Sequence, residues 1–178
     1  MVNLLEKILE NPDFNETDKA LLQKAYNTAE LVHRGQKRIS GEDYITHPLN
    51  AAYFLSELGM DATTVAACLL HDTLEDTPLK PDDIRQEFGQ EILFLVEGVT
   101  KLGKIEYSPD QPNKKTALEN LTALKKMFFA MAEDIRVIII KLADRYHNMT
   151  TLKSLPKESQ KRIALETLEI FAPIAARL

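Results

Sequence analysis

Apolar residues in this chain recur at three- and four-residue steps through one segment after another, and only six glycines and eight prolines interrupt them. That period puts side chains on one side of a helix, and so few breaks leave little room for the turns of an all-β chain. Helices are predicted over Glu16–Val32, stopped by Gly35, over Pro48–Glu57, ended by Gly59, and over 62–70, running up to His71 and Asp72. PDDIRQEFG reads as a short helix with Pro81 in its first turn and Gly89 just past its end, and a further helix covers 90–102. Long periodic segments follow at 117–132, 135–151 and 157–178. RVIII, alone, has the β-branched look of a buried strand. Its length and continuation favour a helix, because Ile135, Ile138, Ile139, Leu142, Tyr146 and Met149 then share one side and Lys141, Asp144, Asn148 and Thr151 another. A polar stripe that regular faces something polar. The expected fold is all-α, with a short hairpin near residues 36–46 and an exposed, flexible loop at about 103–116, where GKIEYSPDQPNKK has little apolar content.

At 178 residues and 44% hydrophobic content, the chain can bury the core of a single domain, expected to span 1–178. Its 22 Lys and Arg against 27 Asp and Glu give a net charge of −5, which repels phosphate backbones and argues against a nucleic-acid partner. The start, MVNLLEKILENPDF, lacks the cationic and apolar pattern of a secretory signal, and no window offers the roughly 20 apolar residues of a membrane span. The lone Cys68, inside TTVAACLL, excludes a disulfide framework and reads as an inert buried thiol; a reducing cytoplasm is the expected compartment.

The chemistry gathers in HDTLEDT, residues 71–77. On a continuous helix His71 lies one turn before Glu75 and Asp72 one turn before Asp76. Three carboxylates so close repel one another, and a divalent cation relieves that repulsion. Taken alone the string reads equally well as an acidic helix end in solvent. His47, before Pro48, and Asp144, in KLADRYHN, are singly no more than capping or packing residues. With His71 and Asp72 they make a His₂Asp₂ donor set from separate helices, suited to Mn, Fe, Co or Zn with positions left open for water. His33 reads as a structural histidine at a helix end. His147 is set aside because it points about 100° from Asn148 around the helix. Met127, Phe128, Phe129 and Met131 read as core or contact residues, and Lys104, Lys114 and Lys115 as solvated loop charges.

The order His47, His71-Asp72, Asp144 resembles the HD-domain metal-dependent phosphohydrolases. RGQKRISGEDYITHP, AACLLHDTLEDT, FGQEILFLVEGVTKL, MAEDIRVIIIKLADRYHNM and ETLEIFAPIAARL, in that order, resemble the N-terminal hydrolase domain of the Rel/SpoT-type enzymes of the bacterial stringent response. The resemblance implies Mn²⁺-dependent hydrolysis of the 3′-pyrophosphate of (p)ppGpp to GDP or GTP plus pyrophosphate. It implies His47, His71, Asp72 and Asp144 as metal ligands, and Glu75 and Asp76, the ED of HDxxED, as catalytic carboxylates. It places Arg38, Ser40, Lys141, Asn148 and Thr151 in the nucleotide pocket. Ile39, Asp43, Tyr146 and Thr150 depart from the family pattern, which bears on nucleotide affinity more than on the metal. The long family members continue into a synthetase domain, so the chain is expected to be either a fragment of a longer parent, which the likeness of its terminal helix to the long forms favours, or a small stand-alone hydrolase. Two other readings are an HD phosphohydrolase acting on another nucleotide and a regulatory module that binds the nucleotide without cleaving it.

Overall fold

The computed structural model describes residues 4–103 and 132–178. The helix expected at 117–132, the loop expected after Gly103, the Met127 to Met131 cluster and Lys104, Lys114 and Lys115 lie almost wholly outside the described residues. Helix α1 covers Leu4–Leu9 and α2 Glu16–Val32, the latter opened by a capping box in which Asn15 accepts from the amides of Thr17 and Asp18 and Asp18 accepts from that of Asn15. Helix α3 spans Thr46–Glu57, starting two residues before the expected Pro48. A proline in the first turn removes an amide with no intrahelical partner, so it tolerates being third as well as first. The shift brings His47 into that first turn.

Helix α4, Ala62–Leu70, is the centre of the molecule: every residue but Thr63 is buried, as its all-round apolar sequence demands. It packs against α2, α3 and α6. Asp61 caps it, accepting from the Thr64 amide at 2.9 Å and its hydroxyl at 2.8 Å. The helix ends at His71, and a separate turn of helix, α5, runs Thr73–Asp76. HDTLEDT is therefore not one continuous helix. The Thr73 hydroxyl bonds the Leu70 carbonyl at 2.7 Å inside the core and helps close the break. Helix α6, Pro81–Gly103, bends at Gly89, whose φ of 89° lies in the left-handed region, so the two expected helices are joined by a glycine kink.

RVIII is helical: α7 runs Ile135–Thr150, packed on α3, α4 and α6, with Asp134 as its N-cap. Its buried side differs from the expected stripe. Val137, Ile138, Ile140 and Ala143 are inside, whereas Ile135 is 40% and Tyr146 53% exposed. Three neighbouring helices, rather than one, set the buried arc. The last segment is α8, Lys157–Glu166, a π-helical turn over Thr167–Phe171, and α9, Ala172–Ala175, so the single expected helix carries a π-bulge. In place of a hairpin with strands there is one antiparallel bridge, Lys37 to Asp43, with Gln36 and Tyr44 joined just outside it. The described residues are otherwise helix, turn and loop.

Candidate functional site

His47 comes from the first turn of α3, His71 and Asp72 from the break between α4 and α5, and Asp144 from the middle of α7. His47, His71 and Asp144 are 2%, 1% and 4% exposed, so the His71 end of the HDTLEDT string is buried, whereas Glu75 and Asp76 at its other end are exposed, as an acidic helix end would be. Their donor atoms lie within 4.8 Å of one another. His47 Nε2 stands 3.1 Å from Asp144 Oδ1 and 3.6 Å from Asp72 Oδ2, and His71 Nε2 3.1 Å from Asp72 Oδ1. All four expected ligands thus meet.

The site fits a divalent ion on its own chemistry. His71 Nδ1 donates to the Cys68 carbonyl at 2.7 Å, which turns Nε2 into the cluster. That nitrogen is buried and, although close to Asp72, is not aligned to hydrogen-bond it, so it has no hydrogen-bond partner. Atoms bound to one ion at about 2.0–2.2 Å stand up to about 4.4 Å apart, close to the spread of these donors. Burial lowers the His47 pKa and keeps the ring neutral. Burial also works to lower that of His71, but the Asp72 and Asp144 carboxylates outweigh it and raise it to about 9. Burial would raise the carboxyls of Asp72 and Asp144, but His71 holds the first down, and Lys141 with both histidines holds the second well below its usual range.

A cleft of about 470 Å³, within the range of small-molecule sites, opens over this cluster. Arg38, Ser40, Lys141, Asn148 and Thr151 all line it. Lys141 Nζ pairs with Asp144 Oδ2 at 2.6 Å, and Asn148 Nδ2 donates to Asp144 Oδ1 at 2.6 Å, so the helical stripe holds this carboxylate from both sides. Arg38 crosses from the bridged loop to donate to Asn148 Oδ1 at 3.1 Å and the Thr151 hydroxyl at 3.2 Å. The exposed Ile39, 72% accessible, sits on the lip. Glu75 and Asp76, the expected catalytic carboxylates, are exposed and are not among the residues lining this cleft. Glu75 lies against Gly103, where an added Cβ would come 2.9 Å from its Oε1, and Asp76 bonds the Tyr44 hydroxyl at 2.7 Å.

Four contributors escape the sequence reading. His147 Nδ1 lies 2.7 Å from His47 Nδ1, so its dismissal is corrected. The useful comparison is with Asp144, three residues earlier and about 60° away around the helix, rather than with Asn148. Burial, with His47 and Arg38 nearby, lowers the His147 pKa to about 4, and the neutral ring can share one hydrogen with His47. Tyr44 reaches Asp72 from a loop 28 residues earlier. Arg145 pairs with Glu166 at 2.9 Å and lies over the Phe171 ring at 4.4 Å, fastening the π-bulged terminal segment to α7 as a wall of the cleft. His147 had a signal in its spacing; Tyr44, Arg145 and Glu166 had none in theirs.

A family model described as HD domain matches residues 25–178. The chain is 46% identical over 176 residues to a guanosine-3′,5′-bis(diphosphate) 3′-pyrophosphohydrolase of Borreliella burgdorferi, covering 99% of this chain and 26% of the relative. It is 50% identical over 157 residues to the bifunctional (p)ppGpp synthase/hydrolase SpoT of Escherichia coli, covering 88% and 22%, and 47% identical over 168 residues to a GTP pyrophosphokinase of Streptomyces coelicolor, covering 94% and 19%. The chain therefore spans about a fifth to a quarter of the length of these curated relatives. A solved structure described as "A metazoan ortholog of SpoT hydrolyzes ppGpp and plays a role in starvation responses" superposes with a TM-score of 0.60 at 23% identity, over 80% of this chain and 78% of that one; at that identity the likeness speaks for the fold. A buried His-Asp donor cluster at a helix break, in an all-helical frame that the family model spans almost entirely, has one consistent assignment: the chain belongs to the HD-domain family.

Proposed function

We propose that this chain is a divalent-metal-dependent phosphohydrolase that removes the 3′-pyrophosphate of guanosine tetra- or pentaphosphate, with Mn²⁺ as its ion and a reducing cytoplasm as its compartment. The supporting observation is the buried His47, His71, Asp72 and Asp144 cluster opening into a cleft that carries Arg38 and Lys141. The relatives' names favour this substrate, and the Streptomyces coelicolor relative, named for synthesis alone, is matched over only 19% of its length, leaving ample chain elsewhere for that activity. On this reading a synthetase domain belongs to a longer parent.

His47, His71, Asp72 and Asp144 would hold the ion, which when bound polarises the phosphoryl oxygen and makes water easier to deprotonate. The chain's own residues do the rest. Arg38, already fixed by Asn148 and Thr151, presents a guanidinium to the phosphates, and Lys141 adds a second cation in an otherwise acidic protein. Glu75 and Asp76 take the proton from the attacking water. The water oxygen bonds to the phosphorus attached to O3′, the O3′–P bond breaks, and the proton ends on O3′ as pyrophosphate leaves.

The test is turnover of ppGpp by chelator-stripped protein with and without Mn²⁺, following GDP and pyrophosphate, beside a His71→Ala, Asp72→Ala control. Metal-dependent release of both products by the parent alone is expected. Release of neither from folded protein, or equal release by the control, rejects the assignment; turnover of a different nucleotide in the same assay would move it to that substrate.

A further inference from the structure

The loop that carries Arg38 also carries a side chain that touches both halves of the broken HDTLEDT string. The Tyr44 hydroxyl lies 2.9 Å from Asp72 Oδ2 and 2.7 Å from Asp76 Oδ2. Its ring stacks on the buried His33 at a centroid distance of 4.5 Å and 15° between planes, and presents an edge to His47. His33 Nδ1 pairs with Gln36 Oε1 at 2.8 Å, and Gln36 Nε2 donates to the Asp76 carbonyl at 2.8 Å. The Tyr44 amide closes the group by donating to the Gln36 carbonyl at 3.1 Å. Asp76 is thus held at two points, its backbone by Gln36 and its carboxylate by Tyr44.

We propose that Tyr44 is a positioning residue that couples the ion site to Asp76, so that the orientation of Asp76 depends on how Asp72 is engaged. This rests on the function proposed above. A phenol carries one hydrogen and can donate it to one carboxylate at a time, yet here two carboxylates converge on it. Pairing with one acceptor satisfies the half-buried hydroxyl; a second carboxylate on the same oxygen adds repulsion. The arrangement makes sense as a link. While Asp72 faces His71 and His47 alone it competes for the hydrogen; with Asp72 engaged by an ion, the hydrogen would go to Asp76 and fix that carboxylate. His33, stacked behind the ring, removes the freedom that would let the hydroxyl leave both partners. Hydrogen bonds of this kind behind a ligand are worth about 10–100-fold in metal affinity or activity.

The variant Tyr44→Phe keeps the ring and its stack and removes the hydroxyl. We expect kcat for ppGpp to fall roughly 10–100-fold with KM within about twofold, because the ring that lines the cleft is kept and the deleted hydroxyl is engaged by Asp72 and Asp76. Mn²⁺ alone, titrated into the chelator-stripped variant and followed by the electron-paramagnetic signal of the free ion, should bind more tightly, by up to about tenfold, because Asp72 no longer gives up a hydrogen bond to take the ion. Asp76→Asn and the double variant complete a cycle: if Tyr44 acts through Asp76, the double variant turns over no more than about twofold slower than Asp76→Asn. Multiplying defects in the double variant, or unchanged or weakened Mn²⁺ affinity in Tyr44→Phe, overturns the link. If the parent releases no pyrophosphate from ppGpp, the proposed function fails separately, and the Mn²⁺ titration still decides the role of Tyr44.

Discussion

Replacing Gly98 by alanine tests how α6 and α7 are held together. A Cβ built there falls 2.8 Å from one Val137 methyl and 3.0 Å from the other. Apolar carbons rest at about 3.5–4.0 Å, so something must move by at least about 0.7 Å. Val137 cannot turn aside: it is 1% exposed and β-branched, and in a helix such a side chain keeps essentially one rotamer. The two helices must move apart instead, an overpacking cost of about 1–3 kcal/mol. Alanine in place of glycine inside a helix recovers about 1 kcal/mol. With two methyls colliding and no rotamer of escape, the cost falls at the upper end, and the net is a loss of about 1–2 kcal/mol. For a chain of this size that lowers the melting temperature by about 2–8 °C. Urea unfolding should show an earlier midpoint with an unchanged slope. Adding Val137→Ala to Gly98→Ala removes the clash, so the pair should show favourable coupling of about 1 kcal/mol or more. A Gly98→Ala protein as stable as its parent would mean that intrinsic helix preference outweighs the contact and that Val137 does yield, refuting the close approach as a constraint.

Gly103→Ala should separate stability from activity. Among the described residues its Cβ meets the far end of the Glu75 side chain, so unfolding should change by less than about 1 kcal/mol while ppGpp turnover drops at least about tenfold; undiminished turnover would remove Glu75 from the mechanism. Asp61→Ala deletes the N-cap of the central helix, and a loss of about 1 kcal/mol in urea titration is expected, with no loss refuting the cap. Burial raises the Cys68 thiol well above its ordinary pKa of 9.0, so at pH 8 it is neutral and should resist iodoacetamide until the protein unfolds; rapid labelling of native protein would contradict this. By the same sign, as pH rises above 9 the unfolded chain loses this proton first, and stability should fall.

Much of this architecture is written locally. The all-apolar α4 had to be central, and the glycine at position 89 had to divide one helical stretch from the next. Helical spacing also put Lys141, Asp144, Asn148 and Thr151 on one stripe before any contact was known. What local pattern could not supply was pairing across the chain. The break after His71 depends on α4 filling the core and leaving α5 at its edge. Tyr44 meets Asp72 only because the Lys37–Asp43 bridge folds the loop back. The buried arc of α7 followed from three packed neighbours, and the Arg145–Glu166 pair from the π-bulged segment that brings Glu166 and Phe171 beneath it.

The spread of the donors along the chain also governs when the site can exist. His47, His71 and Asp72 are synthesised early, and Asp144 follows 144 − 72 = 72 residues later. A growing chain that has passed Asp72 but not α7 holds three of the four donors without the helix that contributes the fourth, without Lys141 to hold that fourth donor in place, and without a floor for the cleft. Ion binding that needs the assembled fold is drawn from the same free energy as folding itself. The cluster is therefore complete only once α7 has been added and folded against α3 and α4, and it is completed in one step.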